Sequence, residues 1–145
     1  MERIILETVF ILNLIFLIFL YIKLFRKVIY FRGKYKIALG SGKKIELERA
    51  IRAHSNFNEN VPIGLILLMF LYFHNLLIFS CISILLLSLG RLFHSQGILD
   101  VNEGKTSYDL RRKGMKLTIY SYKSALFGLL FYIGQVVYFY ISNIY

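Results

Sequence analysis

Residues 4–25 read IILETVFILNLIFLIFLYIKLF. No globular core needs so long an apolar run. As a helix rising about 1.5 Å per residue it crosses roughly 30 Å of hydrocarbon, where every backbone polar group must be satisfied within the segment. Similar runs recur, and together they predict an all-α, integral membrane four-helix bundle with spans near 4–25, 47–73, 76–93 and 117–141. A chain of 145 residues built this way is a single domain, 1–145. Its first run has a weak basic leader, with Arg3 between Glu2 and Glu7, and KLFRKVIYFRGKYK follows in place of a small-residue cleavage site. It therefore reads as a retained span and not a signal peptide.

The formal charge of +10 raises the question of nucleic acid. The distribution excludes it: the basic residues flank the apolar runs, and no nucleic-acid module is present. Seven Lys and Arg residues lie between the first two runs (Arg26, Lys27, Arg32, Lys34, Lys36, Lys43, Lys44), and five more between the last two (Lys105, Arg111, Arg112, Lys113, Lys116). The opposite side has only Arg3. The positive-inside rule then places both long connections in the cytoplasm and both termini outside. Cys81 stands alone in an apolar run and reads as a small buried hydrophobe, so no intrachain disulfide is available.

The second run departs from this apolar pattern. ELERAIRAHSNFNENVP precedes its hydrocarbon half and carries Arg49, Arg52, His54, Asn56 and Glu59. At 100° per residue, Arg52, Asn56 and Glu59 fall within about 60° of one another, Arg49 extends that face, and His54 points away. Two readings follow. In one, Arg52 and Glu59 neutralise each other and Asn56 bridges them, fixing helix packing. A buried ion pair is a poor device for stability, however, because it often fails to recover its desolvation cost. In the other, the face holds a small zwitterionic or anionic ligand: arginine for a carboxylate, Glu59 for an ammonium, and Asn56 as donor and acceptor.

Two further polar clusters reach the same depth. GRLFHSQG ends the third run with Arg91 and His94 on one face, and RRKGMKLT opens the fourth with Arg111, where Gly114 lets a neighbouring helix approach closely. His54 and His94 lack the spacing of a metal set. His74, in the outer turn, reads as solvated.

The motif LERAIRAHSNFNENVP, with GRLFHSQG and RRKGMKLT, resembles the signature of the membrane-associated proteins in eicosanoid and glutathione metabolism, the MAPEG family, and is most similar to its short bacterial members. The resemblance covers nearly the whole chain. It implies a homotrimer in the bacterial inner membrane, with glutathione bound as co-substrate between subunits near the cytoplasmic face. By motif position it makes Arg49, Arg52, Asn56, Glu59, Arg91 and His94 glutathione-binding residues, and Arg111 the arginine that stabilises the thiolate, with no metal. The implied activity is a glutathione-dependent transferase, with peroxidase activity as a variant, acting on a lipophilic electrophile delivered through membrane lipid. One position departs. Several catalytic relatives have a tyrosine four residues beyond the equivalent of His94, where this chain has Ile98. That keeps open a non-catalytic scaffold of the same family that binds glutathione or lipid. A small multidrug exporter, also built from four spans, needs an acid deep in the first one. Here that position range offers only Asn13, expected to bond a neighbouring helix.

Overall fold

The computed structural model describes residues 1–143 and consists of four helices joined by short connections: α1 (Glu2–Tyr35), α2 (Ile45–Phe73), α3 (Leu77–Leu99) and α4 (Lys105–Ser142). Three of them, α1, α3 and α4, are long and apolar enough to cross a membrane. The expected second span falls short of that standard. At 29 residues α2 has the length, but its first half is the polar motif and only its second half is apolar.

The helices also run further than the apolar runs. α1 continues ten residues past position 25, through RKVIYFRGKY, a stretch expected to be connecting loop. Nothing in it breaks a helix before Gly33. The helix stops where Lys36 turns left-handed (φ 53°), its N–H reaching back to the Arg32 and Gly33 carbonyls. The Arg32 guanidinium then donates to the carbonyls of Ile37 (3.3 Å) and Ala38, pinning the start of the connection. α4 likewise begins a dozen residues before position 117, so Arg111 and Arg112 lie on a helix and not on a loop. At the other end, His74 and Asn75 make the tight turn between α2 and α3. Asn75 takes the left-handed backbone (φ 61°) that its short amide tolerates. His74 is exposed, yet its ring packs against Phe70 (4.3 Å) and Tyr132 (4.4 Å).

α3 is the central helix and the most buried of the three long apolar ones. Leu68 and Leu71 of α2 meet Ile84 and Leu87 of α3 in the core, joined by Phe10, Leu17 and Leu24 of α1. Small polar residues tie the helices together. Ser80 donates to the Leu68 carbonyl (3.0 Å), Ser121 to the Ser83 carbonyl (2.7 Å), and the buried Cys81 thiol to the Leu6 carbonyl (3.0 Å). Asn13 does not join them: its amide donates to the Val9 carbonyl of its own helix (2.9 Å), the acceptor one turn back and always within reach.

The closest approach in the bundle is between α3 and α4. A Cβ on Gly114 would lie 2.5 Å from the His94 amide nitrogen and 2.6 Å from the Gly90 carbonyl. One on Gly97 would lie 2.5 Å from the Ser107 carbonyl. Only hydrogen fits there, so the two backbones touch. This contact sets the depth at which Arg91, His94 and Arg111 stand.

Candidate functional site

The connections 36–44 and 100–104 meet at one end of the bundle, which also carries most of the basic residues. A cleft of about 790 Å³ opens there, within the size range of small-molecule sites. α2 forms one wall with Glu48, Arg49, Arg52, Ser55, Asn56 and Glu59. α3 and α4 form the other with His94, Ile98, Arg111 and Met115, and Glu103 closes the side between them.

The internal ion-pair reading of α2 can be judged from these contacts. Among the described residues, Arg52 and Glu59 enter no ion pair and no side-chain hydrogen bond; both are exposed and face the cleft. Asn56 is differently placed. Arg91 lies behind it, off the cleft wall and only 3% exposed, donating from Nη1 to the Asn56 Oδ1 (2.7 Å) and from Nε and Nη2 to the Thr118 hydroxyl (3.1 and 2.5 Å). Thr118 passes its own proton to the Gly114 carbonyl (3.0 Å). Because a guanidinium only donates, it forces the Asn56 oxygen inward and leaves the Asn56 amide N–H₂ to donate elsewhere. Arg91 has no carboxylate partner among the described residues. It is a buried cation directly beneath the cleft.

One side of the Arg49 guanidinium is committed to the fold and the other faces the cleft. Its Nη1 donates to the carbonyls of Ile98 (2.9 Å) and Asp100 (2.7 Å), the unsatisfied groups at the end of α3, and its Nη2 pairs with Glu103. Asp100 organises the same turn. It accepts from the Ser107 hydroxyl at the start of α4 and from the Asn102 N–H (3.1 Å), and these two bonds hold its carboxyl below the usual carboxylate range. His94 lines the cleft while its Nδ1 contacts the Arg111 carbonyl at 3.0 Å. A carbonyl can only accept, so Nδ1 carries a proton. Arg111 turns inward. Its Nη1 lies 3.7 Å from Glu103, and its buried Nε has no partner among the described residues. Arg112 points outward, pairing with Asp109 (3.5 Å) over the Tyr108 ring. His54 leaves the site altogether and packs against Tyr21 and Phe25 of α1.

The α2 face, His94 and Arg111 are thus brought together, and Arg91 supports them from behind. Glu48, Ser55, Met115 and Glu103 are additions. Glu48 and Ser55 share the helical face of Arg52, and Met115 lies one turn from Arg111, so helical spacing could have found all three. No spacing argument reaches Glu103, which sits in a loop.

A family-wide sequence profile described as MAPEG family matches residues 10–142. The chain belongs to the MAPEG family. It is 34% identical over 94 residues to the inner membrane protein YecN of Escherichia coli strain K12, and equally to YecN of strain O6:H1. The match covers 63% of this chain and 66% of YecN, just under two thirds of that relative's length. No solved structure gives a significant match.

Proposed function

We propose that this membrane protein is a glutathione-dependent transferase, binding the tripeptide in the cleft at the basic end and joining its sulfur to a lipophilic electrophile. The observation that carries the reading is the face of Arg52, Asn56 and Glu59: three polar groups lining a cleft, with the charges of Arg52 and Glu59 unspent within the subunit. Arg52 suits a carboxylate with its two parallel donors, Glu59 suits the ammonium, and the free Asn56 N–H₂ donates to a backbone carbonyl or carboxylate. Arg111 and the buried charge of Arg91 lower the cost of a thiolate in the cleft. The thiol proton passes to water, and the thiolate sulfur then forms a bond to the electrophilic carbon, whose leaving group departs with the electron pair. Ile98 and Met115 supply an apolar wall for that partner.

The outer surface of α2 supports contact between copies of the chain, which we take to be the homotrimer that the family resemblance implies. Arg52, Glu59, Ile63, Ile66 and Phe70 are all exposed and fall within about 60° of one helical face. Lipid accepts the apolar half of that stripe but not Arg52 and Glu59. A second copy of the chain covers both halves and completes the cleft. The positive-inside rule places the cleft in the cytoplasm of a bacterial inner-membrane protein, with both termini outside.

One observation favours a second reading, a non-catalytic glutathione- or lipid-binding scaffold: Ile98 stands in the cleft wall with no donor for sulfur. Calorimetric titration of the detergent-solubilised protein with glutathione, thiolate absorbance at the ultraviolet edge, and conjugation of a nitroaromatic compound separate the two. The transferase gives all three signals, and the scaffold gives binding alone. Arg52→Ala is expected to abolish binding; unchanged affinity removes Arg52 from the site.

A further inference from the structure

The charged side chains of each sign that line the cleft are equal in number. Its charged lining consists of Glu48, Arg49, Arg52, Glu59, Glu103 and Arg111, three carboxylates against three guanidiniums, where the sequence suggested arginines with a single acid. Glutathione near neutral pH carries two carboxylates and one ammonium, a net charge of −1, so its carboxylates meet resident acids that compete for the same arginines. Of the three acids, Glu103 alone enters an ion pair among the described residues. Its Oε1 touches Arg49 Nη2 and lies 3.7 Å from Arg111 Nη1, so it occupies the point on which both arginines converge.

We propose that Glu103 is a built-in competitor for the ligand's carboxylate, holding the Arg49 and Arg111 pair until an incoming carboxylate takes its place. The inference rests on the carboxylate-bearing ligand proposed above. Arg49 cannot follow Glu103 away, because its Nη1 is bonded to the Ile98 and Asp100 carbonyls. Arg111 is poorly served by the present contact: 3.7 Å is too long for a hydrogen bond, and its buried Nε is unpartnered. A free carboxylate can satisfy Arg111 as Glu103 does not. Glu103 can leave without moving a helix. Its side chain is 56% exposed in a connection of five residues, and rotation about its own torsions carries the carboxylate into water. Its departure frees both arginines for the ligand's carboxylate.

The backbone agrees. Glu103 is left-handed (φ 47°), a conformation that a side chain disfavours, while the adjacent Gly104 takes an ordinary negative φ. The strain falls on the residue whose carboxylate reaches the arginines. Because the competitor is tethered, its local concentration is high, and it selects for ligands whose carboxylates bind strongly enough to displace it.

The test compares wild type with Glu103→Gln and Glu103→Asn, the second because asparagine tolerates left-handed backbone. Glutathione affinity is expected to rise roughly tenfold in both variants, the effect of losing one competing charge, while affinity for the glutathione dimethyl ester changes less than twofold. Unchanged or weaker glutathione binding in both variants, with Arg52→Ala still abolishing it, overturns the role of Glu103 and leaves the proposed ligand intact. Failure of both variants to fold makes Glu103 a structural brace and likewise overturns it. If no form binds glutathione, thermal unfolding with added glutarate decides. A raised midpoint in the variants and not in wild type upholds the competition and discards glutathione as ligand, and no difference discards both.

Discussion

Replacing Gly114 with alanine adds a single methyl group where α3 and α4 touch. The new carbon would lie 2.5 Å from the His94 amide nitrogen, 2.6 Å from the Gly90 carbonyl and 2.7 Å from the His94 Cβ. All three neighbours are backbone or directly attached to it, so no side-chain rotation relieves the overlap. Restoring ordinary contact near 3.5 Å requires the helices to part by about 1 Å. Overpacking of this kind costs about 1–3 kcal/mol, against which alanine regains about 0.5–1 kcal/mol of helix propensity. The expected outcome is a net loss of up to about 2.5 kcal/mol, centred near about 1 kcal/mol. The same displacement lengthens the bonds of 3.1 and 2.5 Å from Arg91 to Thr118 and loosens the support behind Asn56, so glutathione affinity is expected to fall as well. Gly134 on the same helix is the control. A Cβ there meets nothing within 4 Å, and Gly134→Ala is neutral or slightly stabilising. Denaturant unfolding in mild detergent, followed by circular dichroism, measures both. Gly114→Ala as stable as Gly134→Ala would refute the close-contact reasoning.

Arg91→Met removes the buried guanidinium while keeping much of its length. Thermal stability should change little, because desolvation of the lost charge offsets its hydrogen bonds, whereas glutathione affinity should fall at least about tenfold as Asn56 loses its orientation; titration calorimetry reads the difference. Arg111→Ala should reduce the thiolate absorbance of bound glutathione, and Arg112→Ala, on the outward face, should leave it unchanged. Asp100 predicts an acid limb. Its carboxyl is held below the usual range in the folded state, so its stabilisation is complete above the unfolded value of about 3.9 and fades as pH falls below that toward the folded value. Asp100→Asn should flatten the unfolding midpoint against pH in that window, a change read by thermal scans between neutral pH and acid.

The resident acid in the cleft has a practical consequence for ligand discovery. A screen of the wild-type protein for carboxylate ligands works against Glu103 and under-reports affinity, while the Glu103→Gln form exposes the arginine pair directly. The apolar wall of Ile98 and Met115 faces a charged one, so amphipathic molecules with a carboxylate head are the natural first set.

Helical membrane architecture was legible in the sequence because it depends on local quantities: the length of apolar runs, the polarity of the residues between them and the 100° turn of a helix. Those same quantities put Arg52, Asn56 and Glu59 on one face of α2 before any partner helix was known. What they do not contain is which groups face one another across helices. Three arginines show the difference. Arg49 closes the end of α3, Arg91 stands behind Asn56 and Arg111 faces Glu103, though in sequence all three look alike as basic residues near a polar motif. The loop acid that meets two of them was invisible for the same reason. A guanidinium's role is set by the acceptor within about 3 Å of it, and that distance depends on how α2 and α4 pack against α3, the latter through the close approach at Gly90, Gly97 and Gly114.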